Sequence, residues 1–200
     1  TLSSGEKIAN PRFYRTLQRK LARVQRSVSR KVKGSRNRWK SVRRLQRIHS
    51  RVADARWNFT HHLSKRIINE HQLIAVEALQ IGNMVRSRFA KSILDAAWGQ
   101  FKYQLRYKAE SAGVQLIEVD PRNTSQECSN CSTLVPKSLG VRLHCCNRCG
   151  LVLDRDHNAA INILKRASQP ISAPGRGVSK ACGPEGSGQS HFVIGETGRV

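Results

Sequence analysis

Two Cys-x-x-Cys pairs, Cys128/Cys131 and Cys146/Cys149, stand fourteen residues apart and constrain this chain more than any other feature. A Cys-x-x-Cys turn presents two thiolates side by side, and four thiolates at about 2.3 Å close a tetrahedral zinc site that keeps no open position. The spacing is that of a zinc ribbon, so residues 125–152 are expected to fold around structural Zn2+. Five of the six cysteines fall between Cys128 and Cys149, which favours a local metal site over a chain-wide disulfide framework and a reducing, cytoplasmic setting. Cys145 is set aside because Cys146 preserves the two-residue loop, and Cys182 is read as a bystander.

Charge bounds the partner. Lys and Arg number 36 against 13 Asp and Glu, a formal net charge of +23. Self-repulsion of that size calls for a polyanion. Nucleic acid is favoured over a membrane surface, because no apolar run approaches the roughly twenty residues of a span and no apolar signal segment is seen. The cations cluster. Phe13, Leu17, Leu21, Val24, Val28 and Val32 recur at steps of three and four with Arg and Lys between them, Gly34-Ser35 interrupts, and Val42, Leu45, Ile48, Val52, Ala55, Phe59, Leu63 and Ile67 resume the rhythm. Residues 12–70 therefore read as a basic αα-hairpin. Arg19, Lys20, Arg23, Arg26, Arg30, Lys31, Arg43 and Arg44 suit a phosphate-tracking surface, since an unbalanced run this long is more than a solvated face. For Trp39 and Trp57 stacking on bases is one role open to them, but packing against the helices, the commoner role of tryptophan on a helix, is the one expected.

LIAVEAL (Leu73 to Leu79) reads as a buried strand holding one charge, Glu77; Phe89, Ile93, Leu94, Trp98, Phe101 and Leu105 describe a helix that closes near Gly113; VQLIEVD (Val114 to Asp120) reads as a second strand. Strand, helix, strand is a parallel crossover and an α/β fold, with functional groups gathering at the carboxyl ends, where Glu77 and Asp120 project. LVLDRDHNAAINILKRA then runs from a short strand into a helix with Asp156 at its start. Glu77 and Asp156 are candidates to hold Mg2+ near a phosphodiester. Their ordinary alternatives are an edge-strand residue facing solvent and a helix N-cap. Residues 169–200, rich in Gly, Ser and Pro, are expected to be a disordered tail.

The order IAVEAL, AAWGQF, PRNTSQECSNC, CNRCG, DRDHNAAINIL resembles the TnpB (OrfB) family of transposon-encoded proteins, relatives of the type V CRISPR effectors, from about residue 1 to residue 167. The resemblance implies a guide-RNA-dependent DNA endonuclease with an incomplete ribonuclease H-like (RuvC) core, a basic helical hairpin and an inserted zinc ribbon. It divides the chain into a remnant of the first core hairpin (1–11), the basic hairpin (12–70), core strands and helix (71–124), the ribbon (125–152), the last core strand and helix (153–168) and the tail. Carried over by position, it makes Glu77 the second catalytic acid, Asp156 the third in preference to Asp154, and Cys128, Cys131, Cys146 and Cys149 the zinc ligands. The family's first acid lies on a strand just before the segment matching TLSSGEKI, where this chain offers only a misplaced Glu6, so Mg2+-dependent cleavage is expected to be impaired. Asp120 is a weak substitute at a strand exit. Two alternatives stand beside this: a non-catalytic zinc-ribbon module or regulator that binds RNA or DNA, and a ribosomal-type structural protein, which leaves Glu77 and DRDHNAA unexplained.

Overall fold

The computed structural model describes residues 1–87, 89–138, 140–169 and 191–194. In chain order its elements are α1 (Phe13–Ser29), α2 (Arg36–Glu70), β1 (Leu73–Glu77), α3 (Ile81–Met84), α4 (Ala90–Ala96), α5 (Trp98–Ala112), β2 (Gln115–Val119), β3 (Leu143–Cys145), β4 (Val152–Asp154), α6 (Arg155–Ser168) and β5 (His191–Ile194). They form two units, one of residues 1–9, 64–80 and the described residues from 105 onward, the other of residues 10–63 and the described residues of 81–104.

In the first unit all five residues of β1 are buried, as a near-continuous apolar strand of a parallel sheet should be. β2 pairs with it in parallel, Leu73 opposite Gln115 and Glu77 opposite Val119. Gly113, at φ +70°, turns the chain from α5 into that strand. α6 covers the sheet: Ala160 and Ile163 are buried with Ala75 and Val119, and Ile117, Leu164 and Ala167 pack against them. The expected disordered tail needs correction at one place, because β5 lies within it and pairs in parallel with the second edge of β1, giving the order β2-β1-β5. A fully buried strand cannot leave one row of N–H and C=O groups unpaired. Four residues, HFVI, amid Gly and Ser are too short a signal to read as a strand. The rest of the tail, Cys182 included, lies outside the described residues. Near the start of the chain a tight turn, with Leu2 N–H donating to Glu6 O at 2.8 Å, puts Gly5 at φ +89°. A Cβ there would lie 3.2 Å from the ring of His157.

In the second unit α1 and α2 run antiparallel: the Phe13 and Phe59 rings are 6.1 Å apart, and the Ser27 and Ser41 hydroxyls 3.4 Å. Leu21, Ile48 and Val52 are buried. The helix read through Phe89 to Leu105 is two helices, broken at Ala97 with φ 55°. Apolar spacing gave no sign of the break, because the residue that ties α4 down is polar. Buried Asp95 accepts from Tyr14 N–H (2.8 Å), Arg15 N–H (3.3 Å) and the Arg56 guanidinium (3.1 and 2.8 Å). It satisfies the open N-terminus of α1, whose own flanking Arg12 provides no side-chain cap.

Candidate metal centres and nucleic-acid interface

The two cysteine knuckles are built alike. Cys128 N–H donates to Thr133 O and Ser132 N–H to Cys128 O, both at 2.9 Å; Cys146 N–H donates to Leu151 O and Gly150 N–H to Cys146 O, again both at 2.9 Å. Each turn closes on a left-handed residue, Ser132 at φ 59° and Gly150 at φ 73°. The antiparallel pair β3 and β4 carries the second knuckle. Cys128 Sγ lies 3.6 Å from Cys149 Sγ, Cys131 Sγ lies 3.5 Å from Cys146 Sγ, and all four sulfurs fall within 4.8 Å of one another. Bonds of about 2.3 Å to a tetrahedral ion imply sulfurs about 3.8 Å apart, so the donor set fits Zn2+. Cys145 is exposed on β3 and outside the cluster. Burial pushes the Cys128 thiol up to about 11, whereas the Thr133 hydroxyl and backbone draw Cys131 down to about 6.

Glu77 ends β1, buried, and its Oε1 accepts a 2.6 Å hydrogen bond from the Thr124 hydroxyl. Burial pushes its carboxyl above the usual carboxylate range, Thr124 and Arg166 pull the other way, and the charge of Asp156 pushes it up again. It is not a solvent-facing edge residue, since β1 is the central strand. Nor is Asp156 the helix cap. Asp154 is, accepting from Asp156 N–H (3.0 Å) and His157 N–H (3.3 Å) while it holds Lys7 Nζ at 2.6 Å. Asp156 sits buried in the first turn of α6, with Arg155 Nε 3.5 Å from its carboxylate. Asp120 is exposed and accepts from the Arg122 N–H at 2.9 Å, a contact within its own turn.

One helix face ties acids and ribbon together, and the sequence reading did not pick it out. Asn158 Oδ1 accepts from Ser129 N–H at 2.9 Å and its Nδ2 donates to Glu127 O at 2.7 Å. Asn162 Nδ2 donates to Thr124 O (2.9 Å) and Glu127 O (2.7 Å); Lys165 reaches Ser129 O, and Arg166 reaches Asp120 O, Arg122 O and Glu127 Oε2. The available signal was two asparagines at i and i+4 on the otherwise apolar side of DRDHNAAINIL.

Arg19, Lys20, Arg23, Arg26, Arg30, Arg43 and Arg44 are exposed, and Lys31 is half-buried, its Nζ donating to Asn37 O at 3.3 Å. Shallow grooves run along both helices, lined on α1 by Arg15, Arg19, Arg23 and Arg26 and on α2 by Arg43, Gln46, Arg47, Ser50 and Arg51. Trp39 and Trp57 do not pack as expected: they are 62% and 46% exposed. At about 100° per residue they lie roughly opposite Ser41, Ile48 and Val52, the buried side of α2. No described helix is long and apolar enough to cross a membrane.

Residues 1–88 match the family model described as "Probable transposase" (OrfB_IS605), and residues 98–163 match "Cas12f1-like, TNB domain". A protein of Streptomyces pristinaespiralis named "Putative RNA-guided DNA endonuclease" is 43% identical over 89% of this chain and 44% of its own length. One of Escherichia coli K12 with the same description is 35% identical over 82% of this chain and 45% of its own. The CRISPR-associated endodeoxyribonuclease Cas12f1 of Sulfoacidibacillus thermotolerans is 28% identical over 66% and 32%. In structure, the chain is similar to the Cas12f1 protein of a complex with sgRNA and target DNA, with a TM-score of 0.53 and 17% identity over 79% of this chain and 43% of that one. The chain spans less than half the length of these relatives.

Proposed function

This chain belongs to the OrfB (TnpB) family, and on that premise we propose that it carries the metal-ion chemistry, zinc ribbon and basic hairpin of an RNA-guided DNA endonuclease. Its first unit is then a ribonuclease H-like (RuvC) core into which residues 125–152 are inserted, and its second is a backbone-binding hairpin for guide RNA and target DNA.

The observation that carries this is the placement of Glu77 and Asp156. One closes a buried parallel strand, the other lies in the first turn of the helix packed on that strand, both are buried, and the charge of Asp156 is felt at Glu77. Two carboxylates so placed repel unless a cation lies between them. Glu77 and Asp156 would hold Mg2+, a hard cation suited to carboxylate oxygens. Bound there, the ion would activate water and stabilise the leaving oxygen of a phosphodiester. Thr124 fixes one Glu77 oxygen and leaves the other to the ion, Arg155 steadies Asp156, and Asp154 is occupied in capping α6. Cys128, Cys131, Cys146 and Cys149 hold Zn2+ as a brace, with no position for a reacting group.

Two carboxylates are few for a two-ion site, so cleavage by these 200 residues alone is expected to be weak unless another acid joins them. One observation favours the alternative of a non-catalytic binding module: among the described residues, the four cysteines are the one cluster of three or more metal-ligating side chains. Mg2+-dependent nicking of labelled DNA by the zinc-loaded chain, with co-purifying RNA retained, separates the two. Nicking that disappears in Glu77→Ala supports the nuclease; salt-sensitive binding with no nicking supports the module.

A further inference from the structure

Trp39 and Trp57 are eighteen residues apart on α2, which is five turns of helix, so both indoles lie on one line about 27 Å apart. Arg43, Gln46, Arg47 and Ser50 fall between them within an arc of about 100°. The groove of this face is lined by those four residues and Arg51. The single acid in the arc is Asp54. The face points away from the buried side of the helix, and an indole 62% exposed forgoes the burial that usually keeps tryptophan. Beyond Trp57 the ring of His61 lies 6.4 Å away, tilted by 39°, extending the aromatic surface by one turn.

Guanidinium groups alone read phosphates, which duplex and single strand share. Exposed indoles add something only an unpaired strand can use, because the faces of its bases are open to stack on an aromatic ring. We propose that this face of α2 is a platform for an unpaired nucleic-acid strand, with Trp39 and Trp57 each stacking a base and Arg43 and Arg47 tracking the phosphates between. The proposal rests on the hairpin binding nucleic acid and goes further in naming the strand's state and the residues that sense it. At about 3.4 Å per stacked nucleotide, 27 Å corresponds to about eight nucleotides, within the roughly 4–16 typical of single-strand sites. The chemistry is common to single-stranded DNA and RNA.

The test uses the full zinc-loaded chain with DNA and RNA oligonucleotides of one sequence, about twelve nucleotides long, and the matching duplex. Single strands should quench tryptophan fluorescence. Trp39→Ala and Trp57→Ala should each weaken single-strand binding by about five- to a hundredfold. Duplex affinity should stay within about twofold, and the salt dependence should not change. Preference between the DNA and RNA arms identifies the strand. Equal losses on duplex and single strand, or none on either, overturn the proposal. Arg43→Gln with Arg47→Gln tests the underlying reading separately, since losing two phosphate contacts should flatten the salt dependence for every nucleic acid. If it does so while both tryptophan variants bind single strands normally, only the proposal falls; if the salt dependence is unmoved, the reading of this face falls as well.

Discussion

Thr124 donates its hydroxyl to Glu77 at 2.6 Å while its own carbonyl is held by Asn162 at 2.9 Å, so the carboxylate at the end of β1 is oriented by the helix that carries Asp156. Geometry at the acids thus depends on how α6 grips residues 120–131. Thr124→Val removes the donor and leaves Glu77 free to rotate. Mn2+ affinity, read by titration, should fall about ten- to a hundredfold, the usual effect of losing an outer-shell partner.

Glu77 gives a pH prediction. Burial raises its carboxyl above its value in the unfolded chain, so the folded state favours the protonated form. The stabilisation this gives is complete below the unfolded value near 4.3 and is lost as pH rises through the folded one. Without divalent cation, Glu77→Gln should therefore melt higher than the parent at pH 7, with the gap closing toward pH 4. Thermal melts of the zinc-loaded, Mg2+-free proteins check this.

Zinc should be bound one per chain by four thiolates. Cobalt substitution should give the absorption of a tetrahedral tetrathiolate site, retained in Cys145→Ser and altered in Cys146→Ser. Binding must displace protons, most of all from Cys128, so affinity should weaken as pH falls.

Asn162→Leu leaves Thr124 O without that donor in a buried place, while Glu127 O keeps the Asn158 amide. An orphaned buried acceptor costs about 1–3 kcal/mol. Chemical denaturation should report that loss of stability, and zinc should dissociate faster because the first knuckle is attached to the same loop.

Asp95 is the pin of the second unit. Its carboxylate is 2% exposed and is shared between the start of α1 and Arg56. Asp95→Ala should destabilise by about 3 kcal/mol, because the partly buried Arg56 guanidinium and two helix N–H groups lose their acceptor. Circular dichroism during denaturation should show it in the helical signal.

What could be read from the sequence was what periodicity and spacing encode. LIAVEAL and VQLIEVD became β1 and β2 because a parallel strand buried on both faces is apolar throughout, and the basic hairpin followed from steps of three and four. The cysteine cluster followed from the two knuckles alone. What could not be read was carried by polar contacts between distant segments: the break at Ala97 near Asp95, the grip of Asn158 and Asn162, and the assignment of the cap to Asp154 and not Asp156. β5 was hidden by its brevity. The tryptophans were misjudged because their residue type favours burial, whereas their azimuth on α2, half a turn from Ile48 and Val52, decides that they face outward.

The most direct test of the central claim, that Glu77 and Asp156 together hold a divalent ion, is Mn2+ titration of the zinc-loaded chain by electron paramagnetic resonance, beside Glu77→Gln and Asp156→Asn. One Mn2+ site abolished or weakened at least tenfold by either substitution is the result predicted; Mn2+ binding that neither substitution changes, or no binding at all, contradicts it.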